Sequence, residues 1–145
     1  MALDVFSLTE RTVSAESALS SDIKHDIALA QYRDWVIICQ LSSAIILNGR
    51  GISQVSKNTV AYGFVLSSVT SSFSFRWYSD ELEKYSIFYR DGNVVEQHGQ
   101  ILDEEGMIDV PSGIPDEMWI FSLIERFTGI TLRELQSLSY VLATP

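Results

Sequence analysis

Asp91-Gly92 is the feature that most constrains what this chain can fold into. It stands between Tyr85-Ser86-Ile87-Phe88-Tyr89-Arg90 and Asn93-Val94-Val95-Glu96-Gln97-His98, and Asp-Gly between two such runs predicts a tight β-hairpin. Upstream, Phe73, Phe75 and Trp77 alternate with Ser74, Arg76 and Tyr78, the period of two expected of a strand with one buried face. Three strands follow one another with connections too short for parallel crossovers, so the sheet they build is antiparallel.

The remainder is read around that sheet. Residues 1–21 form a weakly structured lead with a short helix expected over Glu10 to Leu19. From Asp22 onward Ile23, Ile27 and Ala30 recur at helical spacing behind a Ser21 or Asp22 cap, which predicts an amphipathic helix with Lys24, His25 and Asp26 on its outer face. Trp35 to Leu41 is an unbroken apolar run suited to a central strand, and Ala44 to Leu47 is expected to pair with it. Gly49-Arg50-Gly51 reads as a loop; it lacks the Lys-Ser/Thr pair or third glycine of a phosphate-binding turn. A helical turn over Ile52 to Lys57 precedes strands at Thr59 to Leu66 and Val69 to Tyr78, with Asp80-Glu81-Leu82-Glu83-Lys84 as a charged connection. Ile101 to Pro115 reads as an acidic loop. A helix is then expected from Pro115 to a stop at Gly129, with Asp116 and Glu117 in its first turn. Thr131-Leu132-Arg133-Glu134 reads as a capping box opening a last helix through about Leu142. The expectation is one α+β domain over residues 1–145: an antiparallel sheet of about five or six strands, one helix before it and two C-terminal helices packed on one face.

Several of these segments together resemble an uncharacterised bacterial family of small α+β proteins common in actinobacterial genomes. They are Asp34-Trp35-Val36, the aromatic strand through Phe73 and Trp77, Ser86-Ile87-Phe88-Tyr89-Arg90-Asp91-Gly92 with Val94-Val95, and Ile124-Glu125-Arg126-Phe127-Thr128-Gly129-Ile130-Thr131-Leu132. The resemblance covers roughly residues 33–138. It implies a fold and no site residues.

Composition narrows the function classes. A net charge of −9 repels phosphate backbones and anionic lipid heads alike, so neither nucleic acid nor a membrane surface is expected as a partner. No apolar run approaches the roughly 18 residues of a membrane span. Met1-Ala2-Leu3-Asp4 carries an acid where a secretory signal carries a basic residue, so an intracellular, cytoplasmic setting is expected. The single cysteine, Cys39, lies in an apolar run and reads as a small buried hydrophobe.

Candidate chemistry is sparse. The histidines are His25 and His98, and no short-range spacing of histidine, cysteine and carboxylate suggests a metal site. Glu96 and His98 share a strand face and are the first suspects for an acid/base pair, although solvent-facing polar residues have the same pattern. Asp103-Glu104-Glu105 with Asp109 lacks the ligand spacing of a calcium loop. With no catalytic set, no cofactor and no metal expected, the leading expectation is a small acidic immunity protein that neutralises a bacterial toxin. Asp80, Glu81 and Glu83, with Asp103, Glu104, Glu105 and Asp109, would meet a basic cleft and steer association. Two other classes stay open: a secretion chaperone for an effector, dimerising on an apolar helix, and a small-molecule binder or enzyme built around Glu96 and His98.

Overall fold

A computed structural model describes residues 7–19, 27–40, 49–67, 69–100, 102–103, 106–107 and 117–144. The chain divides into two compact units, residues 1–44 with 124–145, and residues 45–123. The architecture is α+β and antiparallel throughout the described strands. Instead of one sheet of five or six strands, the described residues form two sheets of four and a short two-stranded ladder.

The first unit holds strands β1 (Ser7–Ser14), β2 (Ile27–Tyr32), β3 (Trp35–Gln40) and β10 (Ser139–Thr144), in the spatial order β1-β10-β2-β3. Helix α1 (Ala15–Leu19) follows β1 directly, with Ser14 Oγ accepting from the Ser17 amide at 3.3 Å. Its Ala15 and Ala18, three apart on one helix face, pack in a small core with Ala28, Ala30, Tyr140 and Leu142. Ile27 to Ala30 are all buried, so β2 is covered on both faces. That corrects the helix expected from Asp22 onward. Alanine serves either state, and a continuous apolar run buried on both faces mimics helical spacing. The portion before Ile27 lies outside the described residues, as do Ala44 to Leu47. β3 pairs with β2 through the two-residue turn Arg33-Asp34, Tyr32 opposite Trp35, and among the described strands stands at the end of the sheet rather than at its centre.

The expected last helix stops early. Helix α4 is Leu132–Ser137, and Ser139–Thr144 is strand β10, inserted between β1 and β2. The leucine spacing of that stretch matches a helix, but the β10 pairs Val141 with Leu29 and Leu142 with Ala28 satisfy the backbone instead. The capping box is present: the Thr131 side chain accepts from the Glu134 amide and Glu134 accepts from the Thr131 amide. Helix α3 (Glu117–Thr128) ends at Gly129 as expected, at φ +71° with its amide on the Glu125 carbonyl at 2.8 Å. The boundary between the two units falls within α3.

The second unit is a meander, β4 (Val60–Ser67), β5 (Ser72–Ser79), β6 (Leu82–Arg90) and β7 (Asn93–Gly99), preceded by helix α2 (Arg50–Val55). Gly49 precedes α2 at φ +68°, so Gly49-Arg50-Gly51 opens a helix and is not a loop. The Asp91-Gly92 hairpin forms with both residues at positive φ. One sheet face is aromatic. Phe75, fully buried, has Phe64 at 5.0 Å, Tyr85 at 5.8 Å and Tyr62 at 6.3 Å between ring centroids. The opposite face carries Ser74, Arg76 and Tyr78 on β5, Glu83, Ser86 and Phe88 on β6, and Glu96 and His98 on β7. Two bulges adjust the register, one at Lys84 and one at Val95. At the first, a Cβ on Gly99 would stand 2.2 Å from the Lys84 carbonyl oxygen, so only glycine fits there. Within Ile101 to Pro115, read as loop, β8 (Leu102–Asp103) pairs with β9 (Gly106–Met107). Acidic composition disfavours long strands, not a two-residue ladder.

Candidate functional site

The turn between β5 and β6 is made of two acids, Asp80 and Glu81, and both have left-handed backbone at φ +49° and +65°. A two-residue hairpin turn favours Asn-Gly or Asp-Gly there; a glutamate at positive φ costs about 1–2 kcal/mol. The surroundings hold it nevertheless. Asp80 donates its amide to the Thr59 carbonyl at 3.0 Å and accepts from the Asn58 amide at 3.2 Å through its carboxylate. Glu81 donates its amide to Ser56 Oγ at 3.0 Å, and its carbonyl accepts from Ser53 Oγ at 2.9 Å. Ser56 is itself fully buried. The result is a rigid acidic tip: Asp80 and Glu81 are exposed, and Leu82 beside them is 62% exposed.

Glu83, grouped with them by sequence, does a different job. It is half-buried, accepts from the Tyr78 hydroxyl at 2.9 Å and lies 3.9 Å from Arg76 Nη1. Burial first, and the Glu83 carboxylate second, push the Tyr78 phenol up from its ordinary value. Arg76 keeps one buried nitrogen, Nε, with no partner among the described residues. The charged connection expected over Asp80 to Lys84 is thus a two-residue turn followed by strand.

The second acidic segment is only partly in view. Asp103 has strand backbone in β8; Glu104, Glu105 and Asp109 lie outside the described residues. Glu96 and His98 do share a face, opposite Phe88 and Ser86, and both are exposed. A shallow depression with room for little more than a water molecule is lined by Ser74, Arg76, Ser86, Ile87, Phe88 and Glu96, and not by His98. Among the described residues no three histidine, cysteine or carboxylate groups are placed to hold a metal ion, and no helix is long and apolar enough to cross a membrane. Comparison with protein-family models, with curated proteins and with solved structures found no match to this chain.

Sequence reasoning found the acids of the tip and missed what holds them. Ser53, Ser56 and Asn58 act from the α2 end, some 25 positions away. No local pattern encodes that distance. The Arg76–Glu83 relationship was hidden by the Lys84 bulge, which shifts the register so that Tyr78 faces Glu83.

Proposed function

We propose that this chain is a small cytosolic binding protein that neutralises a basic protein partner, a bacterial toxin, with the Asp80-Glu81 tip as its leading contact. The observation that carries the reading is the strain at Glu81: a left-handed glutamate held by buried Ser56 is conformational cost retained where Asn-Gly would serve the hairpin better. An Asp80 carboxylate held by the Asn58 amide and a Glu81 held by its backbone, beside an exposed leucine, suit a basic cleft with an apolar rim, and the net charge of −9 adds long-range steering. Asp103, Glu104, Glu105 and Asp109 extend the acidic surface in this reading, and Glu83 supports the tip from within the sheet.

A second reading, a secretion chaperone holding an effector segment on a sheet edge, draws on β7, whose seven residues are all exposed.

The test is capture of partners from the native host on the immobilised chain at low and at high salt, followed by association kinetics with any basic protein retained. Asp80→Asn with Glu81→Gln should slow association severalfold and flatten its salt dependence. An unchanged rate with a bound toxin would remove the tip from the interface; no retained protein at either salt would defeat the binding reading itself.

A further inference from the structure

We propose that β7 pairs with β7 of a second copy of this chain, antiparallel about Gln97, joining two four-stranded meanders into one continuous sheet. β7 is the last strand of its sheet, and all seven of its residues are exposed. β6 uses one side of its backbone; the outward N–H and C=O groups have no partner among the described residues. Such a row is a template for another strand. Asn93–Gly99 has neither the proline nor the lysine that commonly protects an edge. The Val95 bulge lies toward one end, leaving Glu96 to Gly99 in regular register with Phe88, Ile87, Ser86 and Tyr85.

The side chains select a second copy. In an antiparallel self-pair the residue on the two-fold axis faces its own counterpart, and the residue before it faces the residue after it. Centred on Gln97, the two side-chain amides meet, each able to donate and accept. Glu96 of each copy then stands opposite His98 of the other, a carboxylate acceptor against an imidazole N–H donor, twice. Centring on Glu96 would oppose two carboxylates, which destabilises a cross-strand pair. Centring on His98 leaves Glu96 facing Gln100. With Gln97 on the axis, Glu96 and His98 of both copies stay on the face carrying Arg76 and Ser86, and the two aromatic faces lie on the same side of the joined sheet with the paired Gln97 amides between them. Each copy carries −9, so screening ions strengthen the pair. Capture of a basic partner by the acidic tip responds to salt in the opposite sense.

Sedimentation of the full chain across the micromolar range, at low and high salt, should give a dimer that tightens as salt rises. In a Cys39→Ser background, Gln97→Cys should form a covalent dimer on oxidation, because opposed residues in an antiparallel pair sit about 4.5–5.5 Å apart at Cα, within disulfide reach. Asn93→Cys, far from the axis, should not. Glu96→Lys should weaken the dimer roughly tenfold, and Glu96→Lys combined with His98→Glu should restore it, with circular dichroism verifying each fold. A monomer under every condition overturns the proposal. So does a dimer that ignores both charge variants and fails to cross-link at position 97, or a β7 edge protected from hydrogen exchange only when an effector-like segment of another protein is added.

Discussion

Tyr32 and Glu134, 102 positions apart, are joined by a hydrogen bond from the phenol hydroxyl to the carboxylate Oε1, which ties the β2–β3 turn to the first turn of α4. The other carboxylate oxygen accepts from the Thr131 amide at 2.8 Å and from its hydroxyl at 3.0 Å, and Arg33 Nη2 lies 3.7 Å from Oε1. The Thr131 backbone bond first, then Tyr32 and the Thr131 hydroxyl, hold the Glu134 carboxyl down at about 2. A depressed carboxyl stabilises the fold fully above its ordinary value near 4.5 and loses that contribution as pH falls toward 2. Glu134→Ala should therefore lower the denaturant midpoint at neutral pH, and its deficit against the parent chain should shrink progressively below pH 4.5. A deficit independent of pH would mean that the carboxylate charge is not what matters.

Tyr85 and Tyr140 make a matched pair of opposites. Both are buried; Tyr140 donates its hydroxyl to the Leu135 carbonyl at 3.2 Å, whereas the Tyr85 hydroxyl has no partner among the described residues and burial pushes it up to about 12. Tyr85→Phe should leave stability unchanged or raise it by about 1 kcal/mol, and Tyr140→Phe should lower it by about 1 kcal/mol. Chemical denaturation of the two variants side by side reads the contrast. Equal losses would mean that the Tyr85 hydroxyl is paired in solution.

The tip and the sheet face should separate function from stability. Asp80→Asn with Glu81→Gly keeps the acceptor for the Asn58 amide and relaxes the left-handed backbone, so the melting temperature should rise while association with a basic partner slows. Glu83→Ala should do the reverse: it strands half-buried Arg76, costs about 1 kcal/mol and leaves association nearly unchanged. Thermal melts together with binding kinetics discriminate the two, and a Glu83 variant that alone slowed binding would reverse the assignment.

Burial raises the Cys39 thiol to about 11, with the neighbouring Tyr140 hydroxyl partly opposing it. The thiolate fraction at neutral pH should be roughly a hundredfold below that of an unperturbed cysteine. A coloured disulfide reagent should label the native chain correspondingly slowly and the unfolded chain at once. Equal rates would show an open thiol.

What the sequence revealed follows from how local each signal is. The Asp91-Gly92 hairpin, the Thr131 to Glu134 capping box and the Gly129 stop are all closed within four residues, and all three are present. β2 and β10 were misread as helix because Ile27-Ala28-Leu29-Ala30 and the spaced leucines through Leu142 satisfy a helical pattern locally, while the bonds that hold β10 in the sheet, and one side of β2, run between residues more than 100 positions apart. The site divided the same way: Asp80 and Glu81 stand out as acids, but their strain and support exist only in three dimensions.

The position of β10 also bears on how a ribosome delivers this protein. Among the described strands β10 comes last in the chain yet lies between β1 and β2, so β1 has no described strand to pair with until residues 139–144 emerge. The β4–β7 meander, which ends at Gly99 and is paired strand to neighbouring strand, can gather while the chain is still growing. During that interval β1 and the β2–β3 hairpin wait with open edges, the period in which a nascent-chain chaperone has most to protect.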